Sequence, residues 1–288
     1  MMAASSPTPV ATATGVPNTI VVDGVRKTFG AGTPNEVRAL QGVSLAIAEG
    51  SFVVVIGTNG SGKSTLLNAL AGTFVVDEGR IRIEGADVTK WPEHRRAALV
   101  GRVFQNPFSG TAPSMTIAEN LALAARRGES RRLGWALSRR VREELRERVS
   151  RLRLGLEDRL DSPIGTLSGG QRQALTLLMA TWRRPHLLLL DEHTAALDPR
   201  SADHVIQVSR DIIAHHRLTT LMVTHSMQQA ATLGDRLVMM HRGAILHDDS
   251  GAQKARLRPP DLLARFESIR RAELLDASAA EMLRRTYA

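Results

Sequence analysis

Three short stretches combine residue types that can handle phosphate. In the first, Gly57-Thr58-Asn59-Gly60-Ser61-Gly62-Lys63-Ser64-Thr65 follows directly on a β-branched run, residues 51–56, of the kind that forms buried strands. Glycines in such a loop let the backbone curl until successive N–H groups point into one concavity at the start of a helix, where they hold phosphate oxygens. Gly57, Asn59, Gly60, Ser61 and Gly62 form the candidate cradle. At this spacing Lys63 can bridge the β- and γ-phosphates, Ser64 can ligate Mg²⁺ and Thr65 can bond a phosphate oxygen. In the second stretch four leucines, Leu187 to Leu190, run into Asp191 and Glu192. The leucines predict a buried strand whose C-terminal edge is where open α/β sheets bind ligands. Two adjacent carboxylates make sense there if Asp191 faces a metal and Glu192 reaches a water in line with the γ-phosphate. The third stretch, Leu167-Ser168-Gly169-Gly170-Gln171, opens an apolar helical run. Its hydroxyl and exposed N–H groups make a second anion site, so the chain carries two candidate halves of one phosphate site.

The elements that must position these residues are legible in outline. Strand-like runs begin at Thr19 and recur at 51–56, 99–107, 186–192, 219–225 and 236–248, with Arg242-Gly243 at a hairpin turn in the last and an alternating edge hairpin at 78–88. Between Pro107 and Gly165 apolar residues recur at helical spacing. Val141, Leu145, Val149 and Leu152 mark one face, and Arg139, Arg140, Glu143, Glu144, Arg146 and Glu147 occupy the others. Short apolar strands alternating with helices predict a largely parallel sheet covered on both faces. Residues 1–17, rich in Ala, Thr, Ser and Pro, read as a disordered leader, and from Gly251 a polar, mostly helical tail closes the chain.

Composition narrows the chemistry. With 288 residues, 43% hydrophobic but only 3% aromatic, the core must be mainly aliphatic. Cysteine is absent, which excludes disulfides, thiolate metal sites and cysteine nucleophiles. No apolar run reaches the roughly 18 residues of a membrane span, and the N-terminus lacks the order of a secretion signal, so the chain is expected to be soluble and not exported. The net charge of +9, carried almost wholly by arginine, suits anionic partners or a solvated surface.

With these motifs in this order, residues 18–250 resemble the ATP-binding cassette (ABC) ATPases, whose signature reads LSGGQ. The resemblance implies an α/β phosphate-loop NTPase core with a mainly parallel sheet, an antiparallel β subdomain and a helical subdomain inserted at about 108–167. It also implies ATP and Mg²⁺ as ligands. Ser168, Gly169, Gly170 and Gln171 would complete the nucleotide site of a second copy. Phe29 matches the aromatic that stacks on adenine. Gln105 matches the glutamine that senses Mg²⁺ and attacking water, Asp198 the aspartate that crosses the dimer, and His225 the histidine that contacts the γ-phosphate.

Among cassette classes, the DNA-repair type carries a long coiled coil and the translation type two cassettes per chain; neither feature is present. Transport remains, and without its own spans the subunit would dock on a separate permease at the cytoplasmic face of the inner membrane. Residues 104–128 and 167–199 resemble a bacterial subgroup that imports tryptophan, tyrosine or related small solutes with a periplasmic binding protein. A lipoprotein or macrolide exporter is the alternative. The Arg-rich insertion suggests nucleic-acid binding only weakly, because it interleaves Glu and carries no aromatic stacking set; around Arg131 and Arg132 it could instead lie near anionic lipid. His193, where most of the family has proline, is expected to fix the same turn through a local hydrogen bond, the sharper alternative being that it tunes Glu192 electrostatically.

Overall fold

The computed structural model describes residues 18–128 and 137–271. The expected leader, Arg131, Arg132 and the end of the tail lie outside them. In chain order the strands are β1 (Asn18–Phe29), β2 (Val37–Ala48), β3 (Phe52–Gly57), β4 (Glu78–Ile83), β5 (Ala86–Asp87), β6 (Val100–Val103), β7 (Leu187–Asp191), β8 (Thr220–Val223), β9 (Arg236–His241) and β10 (Ala244–Ser250). They form an antiparallel sheet ordered β2-β1-β4-β5 and a six-stranded sheet ordered β10-β9-β3-β8-β7-β6, parallel throughout except for β10.

Strict alternation fixes the larger sheet between two cores. Val53, Val55, Leu187 and Leu189 face one core, which they share with the antiparallel sheet and α1 (Lys63–Ala71); Val54, Ile56, Leu188 and Leu190 face the helical side. Each of the four leucines is fully buried, contributing about 2 kcal/mol of hydrophobic free energy. The expectation of short apolar strands holds best for the central parallel strands of this sheet, β3, β7 and β8. β1 and β2 run 12 residues each, and as an antiparallel pair with bulges they need only one apolar face. Arg242 and Gly243 both take positive φ between the paired residues His241 and Ala244, the geometry of a type I′ hairpin turn.

The insertion contains α3 (Ile117–Ala125) and α4 (Arg139–Ser150), after α2 (Glu93–Arg96), and leads into α5 (Gly169–Thr181). Its two ends are pinned together by the Thr116–Pro163 bridge and by the Ile117 N–H donating to Ser162 O at 3.0 Å. Leu145 and Val149 are buried as the periodicity predicts, while Leu152 lies past the end of α4 but enters the same core. The outer face of α4 is laced by the i,i+4 pairs Arg139–Glu143, Arg148–Glu144 and Arg151–Glu147, so these arginines are engaged on a solvated face. After β7 come α6 (Pro199–His216), α7 (Met227–Thr232), α8 (Gly251–Arg256) and a helix over 259–271. Leu262 and Ile269 of the last helix join the helical-side core, and α8 packs on β9 and β10.

Candidate functional site

All five parallel strands end on one edge, and the residues that leave that edge are those with candidate chemistry. The phosphate loop leaves β3. Two of its glycines are required by space: a Cβ on Gly57 would collide with Met240 O and Ser61 Oγ, and one on Gly62, at φ 96°, with Ala39 O. Gly62 caps α1 without any side-chain hydrogen bond and the first turn carries no acid, which leaves its N–H groups for an anion. The loop is tied to the β9–β10 turn by Gly243 N–H donating to Ser61 O at 3.0 Å. Lys63 is 6% exposed, and its ammonium donates to Gly57 O at 3.0 Å and Thr58 O at 2.9 Å. Burial lowers its pKa from the ordinary lysine value, opposed by the nearby charges of Glu192 and Asp191.

At the end of β7 the chain turns sharply, Glu192 taking φ 45° while its N–H donates to Val223 O at 3.0 Å. That turn sends the Glu192 carboxylate to His225, just past the end of β8, whose Nε2–H donates to Glu192 Oε1 at 2.6 Å. Glu192's side chain is 12% exposed and that of His225 48%, so the pair joins a sheltered carboxylate to the open edge. A carboxylate so placed can take a proton from water while the imidazole orients it. A network missed by the sequence reading braces the two segments. Thr224 Oγ1 donates to Gln229 Oε1 (2.7 Å), whose Nε2 donates to Thr194 Oγ1 (3.2 Å). No sequence signal marks Gln229 for that task.

His193 points into the protein. It is 1% exposed, and its Nε2–H donates to Ser209 Oγ (3.1 Å), which in turn donates to Val205 O (2.7 Å) in α6. Burial pushes its pKa down to about 4, so near neutral pH it is an uncharged anchor of the turn rather than an electrostatic partner of Glu192.

Oxygen-bearing side chains at or just beyond the ends of β3, β6 and β7 suit a hard cation. Ser64 begins α1 with its side chain exposed, Asp191 ends β7, and Gln105 lies exposed beyond β6. Among the described residues no three His, Cys, Asp or Glu side chains gather into a metal site. So sparse an all-oxygen set fits Mg²⁺, which keeps waters and takes phosphate oxygens rather than a full protein cage. One neighbour is unforeseen: Arg102 Nη2 donates to Asp191 Oδ2 at 3.2 Å.

The remaining candidates fall into two groups. Phe29, 41% exposed, meets Phe74 edge to face at 5.4 Å, with Lys27 Nζ 5.6 Å from its ring centre; this is an open aromatic face close to the loop's own helix. Ser168 caps α5 in a reciprocal box with Gln171 (3.3 and 3.1 Å), and Asp198 caps α6 through the Ser201 N–H at 3.1 Å. Gly170 lets the two helix starts abut, since a Cβ there would press on Ser201 at 2.8 Å. Ser168, Gly169, Gly170, Gln171 and Asp198 thus make one cluster, whose contacts are with their own helices, while Lys63, Asp191, Glu192 and His225 make another. A strut joins α5 to the strand edge: Gln173, fully buried, donates to Phe104 O at 2.8 Å, next to Gln105.

A phosphate loop on a parallel sheet, a carboxylate–imidazole pair at the same edge and a second cluster of capped helix starts are the features of an ATP-binding cassette. The family model described as ABC transporter matches residues 40–195, and the chain belongs to that family: it is the ATP-hydrolysing cassette of a membrane transporter. Over 238 residues it is 42% identical to the tyrosine transport ATP-binding protein of Clostridioides difficile, covering 82% of this chain and 93% of that one. It is 36% identical over 226 residues to a lipoprotein-releasing system ATP-binding protein, LolD 1, of Caulobacter vibrioides (77% and 92% covered). Among solved structures, a dimeric ATP-binding cassette in a post-hydrolysis state with ADP and Pi superposes with a TM-score of 0.68 at 27% identity, covering 80% and 98%. No helix among the described residues is long and apolar enough to cross a membrane.

Proposed function

We propose that this chain is the nucleotide-binding subunit of a bacterial solute importer. It works as a homodimer bound to a separate permease at the cytoplasmic face of the inner membrane, and a periplasmic binding protein delivers an aromatic amino acid or similar solute. The observation that carries the small-solute reading is the 42% identity to a tyrosine transport ATP-binding protein over nearly that protein's whole length. The 36% match to a lipoprotein-releasing ATPase keeps export as the second reading.

In this reading the loop from Gly57 to Thr65 and Lys63 bind the phosphates, and Phe29 stacks on the base. Ser64, Asp191 and Gln105 would hold Mg²⁺, which when bound neutralises phosphate charge and fixes the phosphate geometry. Glu192 accepts the proton of the attacking water at Oε1 or Oε2, and His225 orients that carboxylate and faces the γ-phosphate. Ser168 to Gln171 of a second copy close the site from the other side, with Asp198 crossing between the copies, so ATP binding joins two cassettes and hydrolysis parts them. The whole 18–250 cassette, with its 108–167 insertion, moves as the lever.

The test is to purify the chain with the permease and solute-binding protein encoded beside it and to assay ATPase activity against a solute panel. Stimulation by tyrosine- or tryptophan-like solutes is expected. Stimulation by lipoprotein instead, with no response to any small solute, would move the assignment to export.

A further inference from the structure

Arg102 is the one strongly charged side chain on the phosphate-loop face of β6. In that strand Val100 lies in the core with Leu187 and Leu189, Arg102 pairs in register with Leu189, and the alternation carries Arg102 and Asp191 onto the same face. Its Nη2 meets Asp191 Oδ2 at 3.2 Å, and both side chains are only 14% exposed. The guanidinium is packed over the Phe104 ring, 4.6 Å from its centre, and its Nε is buried with no hydrogen-bond partner in the described structure. The guanidinium is therefore fixed in place.

Around the end of β7 two carboxylates, Asp191 and Glu192, already face two cations, Lys63 and Arg102, together with the His225 imidazole. A divalent ion entering alone would meet a carboxylate whose charge is balanced. A nucleotide brings the further negative charge that makes its entry favourable.

We infer that Arg102 is a positioning residue that balances the charge of Asp191, so that a divalent cation is held there only together with nucleotide phosphates. This rests on the reading of Asp191 as the metal-facing carboxylate. Even at high dielectric, a unit charge within a few ångströms changes the affinity for a divalent ion on the order of ten-fold.

The experiment uses the full chain and Mn²⁺ as the probe, with binding followed by electron paramagnetic resonance with and without ADP. Wild type is expected to bind Mn²⁺ with ADP and to leave it free without. Arg102→Gln is expected to bind Mn²⁺ without nucleotide and, with ADP, to need about ten-fold less for half-saturation. Arg102→Lys, which keeps the charge, should behave like wild type, and ADP affinity in EDTA should be the same in all three. An unchanged Mn²⁺ dependence in Arg102→Gln overturns the inference, as does equal Mn²⁺ binding by nucleotide-free and ADP-loaded wild type, a comparison that needs no variant to fold. Asp191→Asn separates the two levels. If it leaves Mn²⁺ binding with ADP unaltered, the reading of Asp191 itself fails; if it weakens binding while Arg102→Gln does nothing, only the role of Arg102 fails.

Discussion

Glu192 reaches His225 because one residue adopts an unusual backbone conformation. For a non-glycine side chain φ 45° is disfavoured, and here it turns the carboxylate toward the imidazole at 2.6 Å. If His225 orients that base, His225→Ala should lower kcat about 100-fold while leaving ATP affinity within a few fold, as single-turnover and binding measurements would show. His193 yields a stability prediction. Unfolded, its imidazole takes a proton near its ordinary pKa of 6.5; folded, it resists until about pH 4. Between those values the unfolded state binds more protons, so stability falls as pH falls through the window and levels off below it. This amounts to about 3 kcal/mol, and His193→Leu should remove it from denaturant unfolding measured between pH 7 and pH 4 in EDTA. Lys63, Asp191 and Glu192 could be picked out as candidates from residue type and spacing alone, because phosphate chemistry favours those types in that order. Arg102 could not, since its meaning lies in a neighbour 89 residues away.

At the scale of elements, two buried arginines hold the site's supports. Arg96, fully buried, donates to Ala69 O and Leu70 O at the end of α1 and to Trp91 O and Thr89 O. It thereby satisfies carbonyls that α1 and its neighbouring loop would otherwise leave unpaired inside the protein. Arg96→Ala should cost about 3 kcal/mol of unfolding free energy. Arg172, 2% exposed, donates to Ile164 O, Gly165 O and Leu167 O and so fixes the turn that delivers Ser168. Arg172→Ala is expected to reduce hydrolysis several-fold with nucleotide affinity unchanged, a split that steady-state kinetics beside direct binding would register. Helices such as α4 and strands such as β7 were legible because periodicity follows burial. These arginines were not, because side-chain type marks arginine as a surface residue and only the three-dimensional course of the backbone shows which carbonyls need it.

In the whole molecule, a parallel sheet between two cores brings the ends of β3, β6, β7 and β8 to one edge, while the starts of α5 and α6 form a second cluster. The general plan, strands alternating with helices around an aliphatic core, was visible in the chain. What composition could not reveal was the fate of the positive charge: in α4 much of it is spent on ion pairs along a solvated face. In the proposed reaction Glu192 activates water in a site that two copies close around ATP. The most direct measurement is size-exclusion chromatography with light scattering of Glu192→Gln, with and without ATP and Mg²⁺, beside its steady-state hydrolysis. A dimer that appears only with ATP, with turnover below about one hundredth of wild type, is expected. Unchanged turnover, or a monomer at saturating ATP, would contradict it.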